Sequence, residues 1–171
     1  SVAGLELIPE VAAEHGLAVL LGAWIGPDRE ASARELEGLV ALANRYPETV
    51  LAVVVGNEVL LRRERTGEQM VELLRQVKAR VPQPVTYADV WEFWSAHPEV
   101  APAVDFVTIH LLPYWEDEPS GIDRALEQVR RVREEFCPNL AVAYSLTETS
   151  STVAITRAGD TPEKQADGSV V

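Results

Sequence analysis

One cysteine, Cys137, stands among 171 residues, so neither an internal disulfide framework nor a multi-cysteine zinc site can be built. Basic residues are scarce: 15 Lys+Arg face 27 Asp+Glu, a formal charge of −12. Nucleic-acid binders carry a basic stripe, and this balance argues against one. Long apolar runs are missing too. The longest, such as Leu17–Ile25 and Val50–Val55, fall well short of the roughly 20 residues a membrane-crossing helix needs. The start, Ser1-Val-Ala-Gly-Leu5, has no basic stretch and shows no secretory leader, which leaves the compartment open. It also lacks an initiator Met, and a processed form or a piece of a longer protein is the expectation. Phosphate loops, the dinucleotide glycine fingerprint, the Gly-x-Ser-x-Gly elbow and metal-ligand spacings are all absent, so no cofactor or metal is expected.

What is present is ordinary for a folded domain. Hydrophobic residues make up 47% and charged residues 25%, which excludes disorder by composition. Apolar, valine-rich runs alternate with helical patterns. The runs are 17–25, 50–55, 85–88, 106–109 and 140–143, and their lack of period-two alternation reads as strands covered on both faces. Between them, Leu36, Leu39, Val40 and Ala43 share one helical face, and Met70, Leu73, Leu74 and Val77 share another. Thr66 with Gln69 makes a capping box, and Pro82 stops the second helix. A third helix carries Ile122, Leu126, Val129, Arg133 and Phe136 on one stripe, with Ser120 and Asp123 as cap candidates. Alternation of this kind predicts a parallel α/β sheet. Five strands suit a doubly wound sheet but fall short of a whole (β/α)8 barrel, which takes about 250 residues. The boundary of reliable packing is expected near Ser150: a domain over 1–150, then an irregular or disordered tail over 151–171.

Sites in parallel α/β folds gather at the carboxyl ends of strands. Here those ends carry Trp24, then Asn57 and Glu58, then Tyr87, Asp89, Trp91 and Trp94, then His110, Tyr114 and Trp115, and finally Glu148. Flat aromatic faces beside carboxylates and amides suit a sugar ring, which has an apolar face and hydrogen-bonding hydroxyls. Glu58 follows six apolar strand residues and a glycine, so its carboxyl should point into a cleft, partly desolvated, as a general acid requires. A carboxylate there could equally cap the next helix or pair with Arg62 or Arg63. Asn57 could meet a substrate hydroxyl or simply tolerate an unusual turn angle. His110 reads as catalytic, as a ligand, or as a satisfied core histidine. The Trp91/Trp94 pair reads as packing or as a sugar platform. Glycoside cleavage with retention needs two carboxyls roughly 5 to 5.5 Å apart. Glu58 and Glu148 can meet that only if the sheet curves into a barrel.

The stretches Gly22-Ala-Trp-Ile25, Val53-Val-Val-Gly-Asn-Glu-Val-Leu-Leu-Arg62, Pro84-Val-Thr-Tyr-Ala-Asp-Val-Trp91 and Val104-Asp-Phe-Val-Thr-Ile-His-Leu-Leu-Pro-Tyr-Trp-Glu-Asp117 resemble glycoside hydrolase family 17, the β-1,3-glucanases, and in particular its bacterial members. The resemblance covers about residues 1–137. It implies a partial (β/α)8 TIM barrel whose five strands correspond to strands three to seven of the family barrel. It also implies retaining cleavage of β-1,3-glucan by double displacement, by hydrolysis or by transglycosylation. Glu58 takes the acid/base position, Asn57 the contact to the sugar 2-hydroxyl, and Tyr114 the cleavage-subsite aromatic. The family's nucleophile motif is of Gly-Glu-Thr-Gly-Trp-Pro type. This chain reads Leu146-Thr-Glu-Thr-Ser-Ser151, which keeps Glu148-Thr149 but not the flanking Gly and Trp-Pro. The expected site is therefore Glu58 and Glu148 as catalytic carboxyls, with Asn57, Tyr87, Asp89, Trp91, His110, Tyr114 and Trp115 binding substrate. The expected partner is a β-glucan oligosaccharide or polysaccharide, with self-association to cover the open barrel edges. Family members are often extracytoplasmic. The competing reading is a non-catalytic barrel fragment that keeps a glucan-binding surface.

Overall fold

The structure, a computed structural model, describes residues 5–111, 122–136, 141, 143–146 and 151–155. The chain divides into two units, Ser1–His110 and Leu111–Val171.

In the first unit a short 3-10 turn, Leu5–Leu7, leads into α1 (Ile8–Glu14), β1 (Val19–Ala23), α2 (Arg29–Arg45), β2 (Val50–Asn57), α3 (Gly67–Lys78), β3 (Val85–Val90), α4 (Trp91–Ala96), a second 3-10 turn (Ala101–Ala103) and β4 (Thr108–His110). The four strands form one parallel sheet in the order β1-β2-β3-β4.

Both long helices begin where their caps dictate. The Asp28 carboxylate accepts from the N–H groups of Glu30 and Ala31 at 2.9 and 3.0 Å and starts α2. Thr66 and Gln69 form the complete capping box of α3. The stripes Leu36, Leu39, Val40 and Ala43 of α2 and Met70, Val71, Leu74 and Val77 of α3 are buried. Leu73, placed on that stripe by periodicity, is half-buried, and Val71 takes its place inside. Valine fills the sheet interior: Val50, Val53, Val55 and Val85 are wholly buried.

Coverage differs from strand to strand. Residues 85–89 of β3 are buried without interruption, as the runs predicted. β1, an edge strand, leaves Leu20 60% exposed. Leu7, Ile8, Val11 and Leu17 are exposed nearby and border an apolar hollow of about 560 Å³. Strand limits also differ from the apolar runs. β1 ends at Ala23, because Gly26 turns to give its N–H to the Ser32 hydroxyl at 3.1 Å. β4 starts at Thr108, because the Phe106 carbonyl accepts from the Thr86 hydroxyl at 2.6 Å.

The second unit holds α5 (Ile122–Glu135), β5 (Ala143–Leu146) and β6 (Ser151–Ile155). β5 pairs antiparallel with β6, whereas a fifth parallel strand was expected over 140–143; of that run Ala143 opens β5, and residues 140 and 142 lie outside the described residues. Ser151–Ile155, assigned to an irregular tail by composition, is a strand. Its Thr152, Val153 and Ile155 are β-branched, which suits extended backbone. Val132 of α5 is buried. Ser120 lies outside the described residues.

Candidate active site

Glu58 directly follows β2 and opens a single helical turn. Its carbonyl accepts from the Arg62 N–H at 2.9 Å, and the Val59 carbonyl accepts from the Glu64 N–H at 3.0 Å. To enter this turn the chain bends sharply. Gly56 has φ 84° and Glu58 φ 55°. A Cβ on Gly56 would lie 2.6 Å from Val59 Cγ2 and 3.1 Å from Ile25 Cγ1, so both conformation and space demand glycine there. Glu58 has no such freedom, and a non-glycine residue in the left-handed region costs about 1–2 kcal/mol. The sequence reading placed the unusual angle at Asn57. It falls on the residues either side, while Asn57 stays in the β2–β3 ladder opposite Ala88.

Several bonds hold the bend. The Glu58 N–H donates to the Ala88 carbonyl at 2.7 Å. Arg62 reaches back across the turn to the Asn57 carbonyl, the Ile25 carbonyl at 2.9 Å and Glu64 Oε2 at 2.8 Å. Its guanidinium stacks over Trp24, 4.2 Å from the ring centroid. Arg62 was read only as a partner for Glu58. Its position four residues after Glu58 was the available signal for a clamp on this turn.

The Glu58 carboxylate itself pairs with His110, Nδ1 to Oε1 at 2.9 Å. The His110 and Glu58 side chains keep 27% and 28% of their surface in solvent, so the pair is reachable from a cleft without being loose. The sheet explains the meeting. Asn57 lies beside Ala88 of β3, and Val90 of β3 lies beside His110 of β4, so the two side chains converge over the end of the strand between them.

Beneath the turn lie Tyr87 and Asp89, both fully buried. Asp89 Oδ2 accepts from the N–H groups of Leu60 and Leu61 at 3.1 and 3.4 Å and from the Tyr87 hydroxyl; Oδ1 accepts from the Val90 N–H at 2.8 Å. The Tyr87 oxygen accepts from the Leu60 N–H at 2.9 Å. Burial, reinforced by the bond to Asp89, pushes the Tyr87 hydroxyl above its ordinary range, so it remains a donor. Neither residue is open to a substrate, which corrects their assignment as sugar contacts: both oxygens of Asp89 are spent on the protein's own backbone and on Tyr87.

Trp94 is likewise core. It is 1% exposed, its ring lies 5.6 Å from that of Tyr87, and its Nε1 donates to the Thr108 carbonyl at 3.2 Å. Trp91 is half-buried at the first position of α4. Trp24, 55% exposed, lines a groove of about 660 Å³ that runs past Gly56 to Asn57. Tyr114, Trp115 and Glu148 lie outside the described residues.

The strand ends of this parallel sheet thus carry a carboxylate–imidazole pair and, beside it in the sheet, a groove lined by Trp24 and Asn57. The chain belongs to the BtgE/BtgC glycoside hydrolase domain family, whose model matches residues 1–150 and which is of glycoside hydrolase family 17 type. Among solved structures it is similar to the family 17 β-1,3-glucanosyltransferase of Rhizomucor miehei, with 27% identity and a TM-score of 0.63, over 75% of this chain and 48% of that one. An active-site mutant of that enzyme in complex with laminaritriose matches equally well. A glucan 1,3-beta-glucosidase of Schizosaccharomyces pombe is 27% identical over 121 residues, 66% of this chain and 38% of that protein. The chain thus spans less than half the length of these relatives, and its fold is a partial (β/α)8 barrel.

Proposed function

We propose that the chain carries the acid/base half of a retaining glycosidase or glucanosyltransferase acting on β-1,3-glucan. The observation that carries this reading is the Glu58–His110 pair at the carboxyl end of the sheet. His110 holds the Glu58 carboxyl in place from Nδ1, and Glu58 gives the proton that a departing glycosidic oxygen takes as its bond to the anomeric carbon breaks. A second carboxylate bonds to that carbon in the same step and forms the glycosyl-enzyme. Glu148 is our candidate for it, on the motif alone. Glu58, now a carboxylate, then removes a proton from the acceptor as the acceptor oxygen attacks. Water as acceptor gives hydrolysis, and a sugar hydroxyl gives transfer. Asn57, Trp91, Tyr114 and Trp115 are the candidates for holding the sugar, and Trp24 joins them from the groove. The matches to glucan-acting relatives support the substrate class.

The test is mass spectrometry of products after incubation with β-1,3-gluco-oligosaccharides, with Glu58→Gln run alongside. Shorter or longer oligomers that vanish in Glu58→Gln are expected. Undiminished turnover in Glu58→Gln, or no products from either protein, overturns the reading.

A further inference from the structure

We infer that Asp89 and Tyr87 are positioning residues, which act on Glu58 through the backbone of the turn it opens. The turn over residues 58–62 begins like a helix, with free N–H groups at Leu60 and Leu61 and no cap in its own sequence. Asp89, from the neighbouring strand, supplies the missing cap from below. A carboxylate wholly out of water is costly unless every lone pair is used. Here three backbone N–H groups and the Tyr87 hydroxyl use them. The same hydroxyl oxygen receives the Leu60 N–H, so Tyr87 and Asp89 grip one amide together.

This placement explains the left-handed Glu58. Local preference opposes φ 55° there, so the conformation must be imposed by the surroundings. Above the turn, the Glu58 carboxylate is aimed at His110; below it, the next two amides are tied to Asp89. If the lower bonds weaken, the turn relaxes and the carboxylate leaves the imidazole. Both residues sit two apart on β3, Tyr87 and Asp89, so one strand sets the height of the whole turn.

The experiment uses the intact chain and two substitutions, Tyr87→Phe and Asp89→Asn. Tyr87→Phe removes only a hydroxyl and is the variant most certain to fold; Asp89→Asn is the harsher probe. The first readout is the imidazole ¹⁵N spectrum. The His110 Nδ1 signal should move most of the way toward its position in Glu58→Gln. The His97 signal, whose ring pairs with Glu99 at 3.1 Å past the end of α4, should stay in place. Amide exchange at Leu60 and Leu61 should quicken about tenfold.

A His110 signal that stays at its wild-type position in both variants overturns the inference. So does one that moves together with His97, which would mean general loosening. The kinetic readout rests on the proposed reaction. Turnover of β-1,3-gluco-oligosaccharides by Tyr87→Phe should fall about tenfold with KM little changed. For a dinitrophenyl glycoside of the same sugar, which leaves without a proton, kcat/KM, which reports the bond-cleaving step alone, should fall less than about twofold. Equal losses on both substrates would point to structural damage and count against positioning. The spectra decide the inference even if the chain turns nothing over, so its failure and failure of the proposed reaction read differently.

Discussion

Along β3, Val85–Asp89 are closed to solvent and every polar side chain among them is bonded. Along β1, two strands away in the same sheet, Leu20 stands 60% exposed beside a hollow lined by Leu7, Ile8, Val11 and Leu17. The polar cluster around Glu58 draws on three strand ends and one turn, and its members bond to one another. The apolar edge is not completed within the described residues, and a sheet edge left bare is a surface that natural folds cover. In this chain the polar cluster at Glu58 is thus more self-contained than the edge of the sheet at β1.

Four measurements would break or sharpen that contrast. The largest effect is expected at the pocket itself: Glu58→Gln should lower turnover of β-1,3-gluco-oligosaccharides about 10² to 10⁴-fold while circular dichroism stays unchanged. Next comes a pair of glycines. Gly56→Ala should cost about 3 kcal/mol in urea unfolding, because it combines a left-handed backbone with a contact at 2.6 Å. Gly22→Ala on β1 meets only Val54 atoms at 3.8 and 3.9 Å and should change stability by no more than about 0.5 kcal/mol. If the two cost the same, the contrast fails. Third, Val85→Ala in the buried strand should cost about 2 kcal/mol, and Leu20→Ala at the open edge about 0.5 kcal/mol, by the same assay.

The smallest effect concerns the other end of β3. Asp105 ties the Val85 N–H at 2.8 Å and Lys78 Nζ at 2.7 Å. Lys78 first, and the Val85 N–H next, hold its carboxyl below the ordinary 3.8. A lowered value in the folded state means the stabilisation is present above about pH 4 and is lost as the pH falls through that lowered value. Its side chain is 40% exposed, so the contribution is about 0.5 kcal/mol. Melting curves of Asp105→Asn and wild type should differ slightly at pH 7 and converge near pH 2.

The fold was legible where signals are local. The Thr66–Gln69 box and the stripes of α2 and α3 announce those helices within a few residues, and apolar runs announce β2 and β3. Pairing direction is not local. Nothing in the sequence Ala143–Leu146 says that its neighbour would be Ser151–Ile155 running antiparallel. The site divides in the same way. Glu58 stood out from its own strand, yet its partner His110 lies 52 residues on, and the link passes through ladder register that no motif records. Tyr87 and Asp89 carried the right residue types at a strand end, but composition cannot tell a group that faces a ligand from one that faces the underside of a turn.

The Glu58–His110 contact also works as a gauge of register. Val90 sits beside His110 across the β3–β4 ladder, and side chains alternate sides along a strand. Slipping β4 by one residue would turn the imidazole to the opposite face of the sheet. Slipping it by two would carry the ring about 7 Å from the carboxylate. Residues inserted or deleted between α4 and β4 leave the contact intact so long as the ladder is kept, which makes the length of that connection free to drift and the alignment of a three-residue strand the quantity under constraint.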